Sequence, residues 1–320
     1  MSIIMRLFLS LFLVKIFIVS AYCENYKVAI FDYDLRSKTE LTVAKHIEKR
    51  LKKSGLKFSK IDQFTGEENE KKALKVLKKL EASNYDLIIT ITSDAMIPGL
   101  HKVKKTPWLF TNVNNPKFFG ISNLKKPGRN VSGVTYYIPV TRQIKFFKEI
   151  LGGKLKKLGL IFDYHAKSRK AELREFRAAA KKLGIAYKIE LIKNKNDLSD
   201  ATNKLLKSKV DAIVLTSSGK VYKNADLVVG ITSVKKIPVF SVNKKGVIKG
   251  AISALASDYY VMVDECLIPM AKEVLKNGKS PGAMPVRNIK KPMVYLNTTQ
   301  AKKIDLIIPR KVKKRALKTY

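Results

Sequence analysis

The sequence predicts an α/β protein built as two similar Rossmann-like lobes with parallel sheets. Three observations predict it. Apolar strand patterns and amphipathic helix patterns alternate almost without a break, the signature of parallel sheets covered by helices. The alternation stops near residue 138 and then restarts. The strands opening the two runs, YKVAIFD (26–32) and KLGLIFD (157–163), are both apolar and end in Phe-Asp.

In the first run, YKVAIFD is an apolar strand, and LTVAKHIEKRLKKSG (41–55) is an amphipathic helix stopped by Gly55. FSKID reads as a short strand and EKKALKVLKKLEAS (70–83) as a helix of good period. DLIITIT (86–92) is continuously apolar, which suits a strand buried on both faces. SDAMIPGLHKV begins with Ser93 and Asp94, two good helix-capping residues. PWLFTNV (107–113) is the next strand. The following stretch, Asn114 to Tyr136, has two prolines, three glycines and no helical period, yet carries Phe118, Phe119, Ile121, Val131 and Val134. A long irregular connection inside a compact chain is usually functional or disordered; these apolar residues favour function.

In the second run, TRQIKFFKEILGG is a helix with Ile144, Phe147, Ile150 and Leu151 on one side. Strand 157–163, helix 170–184, strand AYKIEL, helix DLSDATNKLLKS, strand 211–217 and strand 237–242 follow. Residues 260–278 read as one long helix and PMVYLN as a late strand. The basic end, RKVKKRALKTY, reads either as a short tail or as a final helix with Val312, Ala316 and Leu317 inward.

The chain has 320 residues, 64 Lys+Arg against 26 Asp+Glu, and a net charge of +38. Such a balance raises nucleic acid or an anionic membrane as partners. The lysines, however, spread over the polar faces of helices, and no nucleic-acid-binding signature is present. A solvated lysine-rich surface is the reading, with no nucleic-acid partner. Residues 1–23 have the layout of a signal peptide: a basic start, an apolar run broken by Lys15, and small residues before ENYK. Cleavage after Cys23 and after Ala21 both fit. Alternatively, Cys23 carries lipid, since SAYC loosely resembles a lipobox. The expected location is periplasmic or secreted. Cys266 sits in a helical apolar pattern and reads as a buried small hydrophobe.

Enzyme signals are poor. His46, His101 and His165 are scattered, with none at metal-ligand spacing, and His46 lies on a lysine-rich helix as a solvated side chain. No nucleophile, zinc-protease or dinucleotide motif occurs. The expectation is a non-enzymatic protein without cofactor or metal. In parallel α/β sheets, ligands bind at the carboxyl ends of strands, beside helix N-termini. Here those ends are polar and mostly uncharged: Ser93 and Asp94, Asn112 and Asn115, Asp163 and Tyr164, Ser217 and Ser218, and Asn243. Ordinary helix capping explains any one of them as well.

The stretch from Asn114 carries a resemblance. Asn115-Pro116, Gly120-Ile121 and PGRNVSGVTY resemble the substrate-binding components of ABC transporters of the tryptophan- and tyrosine-binding type. KLGLIFDYHAKSR, IPVFSVN, KGAISALASDYY, VLKNGKSPGAMPV and LNTTQAKKIDLIIP follow the same family order, so the similarity spans residues 26–320. It implies the type I periplasmic-binding fold, with lobes of residues 24–138 plus 255–290 and 139–254 plus 291–320. Three crossovers near Pro139, Ala254–Ser257 and Lys290–Met293 would form the hinge. It implies a small polar ligand, amino-acid-like or related, bound in the cleft by hinge closure, and ABC permease subunits as partners of a monomeric binding protein. The ligand-binding candidates are Ser93, Asp94, Asn112, Asn115, Tyr136, Tyr164, Ser217, Ser218, Asn243 and Asp258. Asn115, Ser218 and Asn243 stand where the family carries Asp, which leaves the counter-charge for an ammonium to Asp94, Asp163 or Asp258, or points to a less cationic ligand. A sensory or scaffold protein with a degenerate cleft is the alternative.

Overall fold

A computed structural model describes residues 25–34, 38–166, 168–289 and 291–320, with residues 38–40 described by backbone alone. The signal-peptide reading of residues 1–23, Cys23 included, and Lys290 of the third crossover lie outside the described residues. Two sheets organise the chain. The first holds five strands in the order β2-β1-β3-β4-β5, all parallel: β1 (Asn25–Asp32), β2 (Lys57–Thr65), β3 (Leu87–Ile91), β4 (Trp108–Val113) and β5 (Val131–Thr135). Its connecting helices are α1 (Lys38–Lys52), α2 (Glu70–Glu81) and α3 (Ser93–Lys102). The central strand β3 is buried along its whole length, as its unbroken apolar run demands.

The second sheet has seven strands in the order β12-β11-β10-β9-β8-β6-β7. The chain enters it through α4 (Val140–Ile150) and continues as β6 (Lys157–Asp163), α5 (Arg169–Leu183), β7 (Ala186–Ile192), α6 (Asp197–Lys207) and β8 (Ala212–Leu215). Then come α7 (Gly219–Tyr222), α8 (Ala225–Ser233), β9 (Val239–Ser241), α9 (Lys244–Ile248) and β10 (Ser253–Ala256). The chain next returns to the first sheet as α10 (Tyr259–Met262), a wide π turn (Val263–Leu267) and α11 (Ile268–Leu275). The turn widens just before Pro269, which has no N–H to give to the carbonyl four residues back. After Pro281–Ala283 the chain crosses again to β11 (Met293–Leu296), α12 (Thr298–Lys303), α13 (Arg310–Lys313) and β12 (Ala316–Thr319).

Each sheet is covered on both faces. Val43, Ile47 and Leu51 of α1 pack with Met262, Leu267, Met270 and Ala271 on one face of the first sheet. Ala73 and Leu77 of α2 and Met96 of α3 cover the other with Trp108 and Phe110. In the second sheet, α4 and α5 supply Ile144, Phe147 and Phe176 to one face, and α6 and α8 supply Leu198, Leu205 and Val228 to the other. Phe147 stacks on Phe240 with centroids 4.5 Å apart. Cys266 is buried, as its pattern implied.

Four features differ from the sequence reading. The stretch 114–136 does not lead straight out of the first sheet: its PGRNVSGVT end makes β5, which the Ser and Gly it contains had hidden. The basic C-terminus is not a single helix: Val312 is buried in α13, but the chain then runs as β12 beside β11, leaving Leu317 59% exposed. Strand β10 lies whole in the second sheet, through Ala256. It pairs antiparallel with β11, because β11 arrives from the other sheet and not over a local crossover helix. His46 is not a solvated side chain: its Nε2 lies 2.8 Å from Asp264 Oδ1 and its ring sits edge-on to Tyr260.

The segment 280–289 straps the outer edge of β5. Arg287 N–H donates to Gly133 O, Thr135 N–H to Arg287 O, Ser132 Oγ to Met284 O, and Gly128 N–H to Gly282 O. Two glycines permit this closeness. A Cβ on Gly282 would lie 2.0 Å from Arg129 O, and one on Gly133 would lie 2.1 Å from Phe110 O. Backbone cannot yield as a flexible side chain can, so Gly133→Ala should lower stability by about 3 kcal/mol, read as a fall in the urea midpoint at unchanged slope. A loss below about 0.5 kcal/mol, the size of a neutral surface change, would contradict the packing described.

Candidate functional site

Between the two sheets lies a cleft of about 1040 Å³. Six strands end on it: Asp32 closes β1, Thr92 follows β3, Asn112 lies in β4, Asp163 closes β6, Thr216 follows β8 and Val242 follows β9. The backbone is bent sharply at two of these ends. Thr92 has φ 80° and Asn112 φ 54°, both in the left-handed region that side chains with a Cβ avoid. Such strain persists only where the surroundings over-determine it, and here it turns the chain from strand into the cleft-side loops and α3.

Seven of the ten sequence candidates line the cleft: Ser93, Asp94, Asn112, Tyr136, Ser217, Ser218 and Asn243. Three do not. Asn115 is buried beside it as the cap of the turn Pro116–Phe119, with its Oδ1 accepting from Lys117 N–H and its Nδ2 donating to Glu175. Tyr164 faces outward, 46% exposed, with the Arg169 guanidinium 4.7 Å above its ring. Asp258 caps α10 by accepting from the Tyr260 and Val261 N–H groups, and pairs with Lys244 at 2.7 Å. Asn115 and Asp258 each cap the element that follows them and also bond a residue beyond it, Glu175 and Lys244.

Sequence reasoning missed two residues of the site. Glu172 and Glu175 lie on α5, where the pattern KAELREFRAAAKKLG makes glutamate read as solvated. Both instead face residues of the first sheet. Asn114 Nδ2 donates to Glu172 Oε1 at 2.9 Å, and Asn115 Nδ2 and Tyr137 Oη donate to Glu175 Oε1 at 2.8 and 2.6 Å. Ser217 Oγ also donates to Glu172 Oε1. The Arg174 guanidinium sits 4.7 Å over the Phe118 ring. The long stretch after β4 is thus the surface on which α5 rests. Its prolines and Gly120, left-handed at φ 99°, shape it for that contact.

The electrostatics follow from burial and partners. Burial pushes the Glu172 carboxyl above its ordinary value, outweighing the bonds from Ser217 and Ser168, and the charge of Glu175 adds to the rise. Burial also pushes Asp163 upward, but bonds from Lys220, the His165 N–H and Ser218 outweigh it and hold the carboxyl below its ordinary value. The Tyr136 phenol is raised well above its ordinary value by burial and by Tyr259, Glu172, Tyr222 and Asp94. Six of the chain's 13 tyrosines line the cleft: Tyr33, Tyr136, Tyr137, Tyr222, Tyr259 and Tyr260. Among the described residues no group of three or more His, Cys, Asp or Glu is placed to hold a metal ion.

Two covered parallel-sheet lobes with a polar, tyrosine-lined cleft at their strand ends define a type I periplasmic-binding fold. The chain matches the ABC transporter substrate binding protein family over residues 34–320 and belongs to it. It is a solute-binding component, and its family is one of binding proteins that work outside the cytoplasmic membrane. Among the described residues no helix is long and apolar enough to cross a membrane. A tyrosine-binding protein of Clostridioides difficile is 25% identical over 77% of this chain and 71% of its own length. A conserved domain protein of Vibrio cholerae shares the fold at TM-score 0.78, with 24% identity over 93% of this chain and all of its own. An ABC domain of Streptococcus pneumonia in complex with L-Trp does so at TM-score 0.76, with 24% identity over the same shares.

The structural role of Asp258 has a pH signature. Burial raises its carboxyl, but Lys244 and the two N–H groups of α10 outweigh that and hold it below its ordinary 3.8. Its stabilisation is therefore complete above that value and is lost as pH falls through the lowered one. Asp258→Ala should cost about 1–2 kcal/mol at pH 7, as a lost cap does, with the gap to wild type closing as pH falls below 3.8 and through the lowered value. Thermal melts across pH check this. An unchanged melting temperature with lost ligand binding would make Asp258 a ligand group instead.

Proposed function

We propose that this binding protein captures an aromatic compound bearing an ammonium group, an aromatic amino acid being the simplest, and delivers it to the permease subunits of an ABC importer. The observation that carries the ligand class is the make-up of the cleft. Lysine and arginine outnumber the acids by 64 to 26 in the chain, yet among the described residues the cleft is lined by seven carboxylates, four lysines and no arginine. Asp32, Asp34, Glu68 and Asp94 come from the first sheet's side, and Asp163, Glu172 and Glu175 from the second's. Carboxylates attract an ammonium, tyrosine rings stack on an aromatic ring, and ring faces also attract a cation. That two relatives are described as binding tyrosine and L-Trp supports the same class. The sensory or scaffold alternative is not favoured.

The cleft is at the upper end of the range for small-molecule sites, and one amino acid would fill only part of it. Closing the lobes around the ligand would expel the remaining water and favour the closed form that a permease reads. Keeping β10 whole in the second-sheet lobe moves the division read from the sequence by two residues, to 24–138 plus 257–290 and 139–256 plus 291–320. In this reading residues 1–23 direct secretion and are then removed, or cleavage precedes Cys23 and leaves it as the lipid-carrying first residue, and the protein acts as a monomer.

A thermal-shift titration tests the ligand class. At a concentration 100 times the dissociation constant, a ligand of the folded form adds about 2.7 kcal/mol, a rise of roughly 4 °C for a chain of this size. L-Tyrosine or L-tryptophan should produce it. A rise only with carboxylates lacking an ammonium, or with non-aromatic solutes, would overturn the reading.

A further inference from the structure

Asn115, Ser218 and Asn243 are uncharged, so a ligand ammonium must find its counter-charge elsewhere. Two of the sequence's three candidates are committed. Asp163 accepts from Lys220 Nζ at 3.0 Å and from Ser218 Oγ at 3.0 Å. Asp258 caps α10 and pairs with Lys244.

Glu172 differs in three ways. It stands on the first turns of α5, in the wall of the cleft, where both lobes meet it: Asn114 donates to it from the end of β4 and Ser217 from the end of β8. Its donors Asn114, Ser217 and Ser168 are neutral, so no cation cancels its charge through these bonds. Its surroundings are built for a cation. Asp94, Tyr136, Tyr222 and Tyr259 line the same cleft as Glu172. The Tyr136 and Tyr259 rings lie 5.9 Å apart and inclined by 51°. Rings and carboxylates in this arrangement hold an ammonium more strongly than either does alone, and more so away from bulk water.

We propose that Glu172 is the residue that receives the ligand's ammonium, with Tyr136, Tyr222 and Tyr259 around it, and that it couples capture to closure because it already holds Asn114 of the opposite lobe. This rests on the ligand being an aromatic amine. Capture and closure then share one carboxylate: an ammonium on Glu172 stiffens the side chain that Asn114 must meet when the lobes come together.

Isothermal titration of the purified chain and its Glu172→Gln variant tests this with three probes: L-tyrosine, tyramine, which keeps the ammonium alone, and 3-(4-hydroxyphenyl)propionate, which keeps the carboxylate alone. Glutamine retains an oxygen for Asn114 and Ser217 and removes only the charge. Wild type should bind L-tyrosine and tyramine. The variant should lose about 10- to 100-fold on both, the size of a charge-assisted hydrogen bond, and nothing on the propionate. Equal affinity of the variant and wild type for tyramine overturns the assignment. So does an equal loss on all three probes, or an equal loss in Glu175→Gln, since either marks a structural role for α5. Wild type binding the propionate but neither amine overturns the aromatic-amine reading, and the Glu172 assignment falls with it. Wild type binding L-tyrosine and tyramine with an unaffected variant leaves that reading standing and sinks the Glu172 assignment alone.

Discussion

Parallel strand pairing is the constraint on which the rest of this molecule depends. A parallel neighbour cannot be reached by a tight turn, so the chain must cross back over the sheet face before each new strand. Every strand in such a sheet ends at the same edge. In each lobe that edge gathers loops and helix starts, while the faces disappear under helices. Two such sheets set edge toward edge make a cleft whose walls are loops and whose scaffold is rigid. The apolar content of β3, β4, β6 and β8 thus has a consequence far from the core: it fixes where Thr92, Asn112, Asp163 and Thr216 emerge.

Much of this was legible in the sequence, because continuous apolar strands and amphipathic helices carry strong periodic signals. What escaped did so for physical reasons. Strand β5, VSGVT, is short and contains a glycine required by its contact with Phe110, so it read as loop. Strand β10, SALA, is made of small residues, and β12, ALKT, is mostly exposed. None has a pattern distinguishable from a turn. The site divides similarly. Residues placed by strand ends, such as Ser93, Asn112 and Ser217, could be named because the topology puts them at the cleft. Asn115 and Asp258 carry the right chemistry at the right place in the chain, but their side chains serve the turn and the helix that follow them. Glu172 and Glu175 were hidden by the opposite effect. A helix's polar face looks solvated until a second lobe is laid against it, and that contact joins residues 58 to 60 positions apart.

The charge of the protein now has two separate parts. Most of the surplus lies on helix exteriors, where solvent and salt weaken it. The cleft holds the reverse balance, in surroundings where charges act more strongly on whatever enters. Composition alone therefore misdescribes the site, since it reports the exterior.

The strap of residues 280–289 along β5 bears on how the protein behaves in a crowd of its own copies. An open strand edge is a template for another chain, and long flat edges aggregate. On β5 the strap occupies that template with backbone bonds from the same chain. The other outer strands lack such a cover and instead carry Lys57 and Lys60 on β2, Lys188 on β7 and Lys318 on β12. Bringing two of those edges together would press like charges against each other. The basic surplus that says little about the ligand thus acts against edge-to-edge pairing of copies.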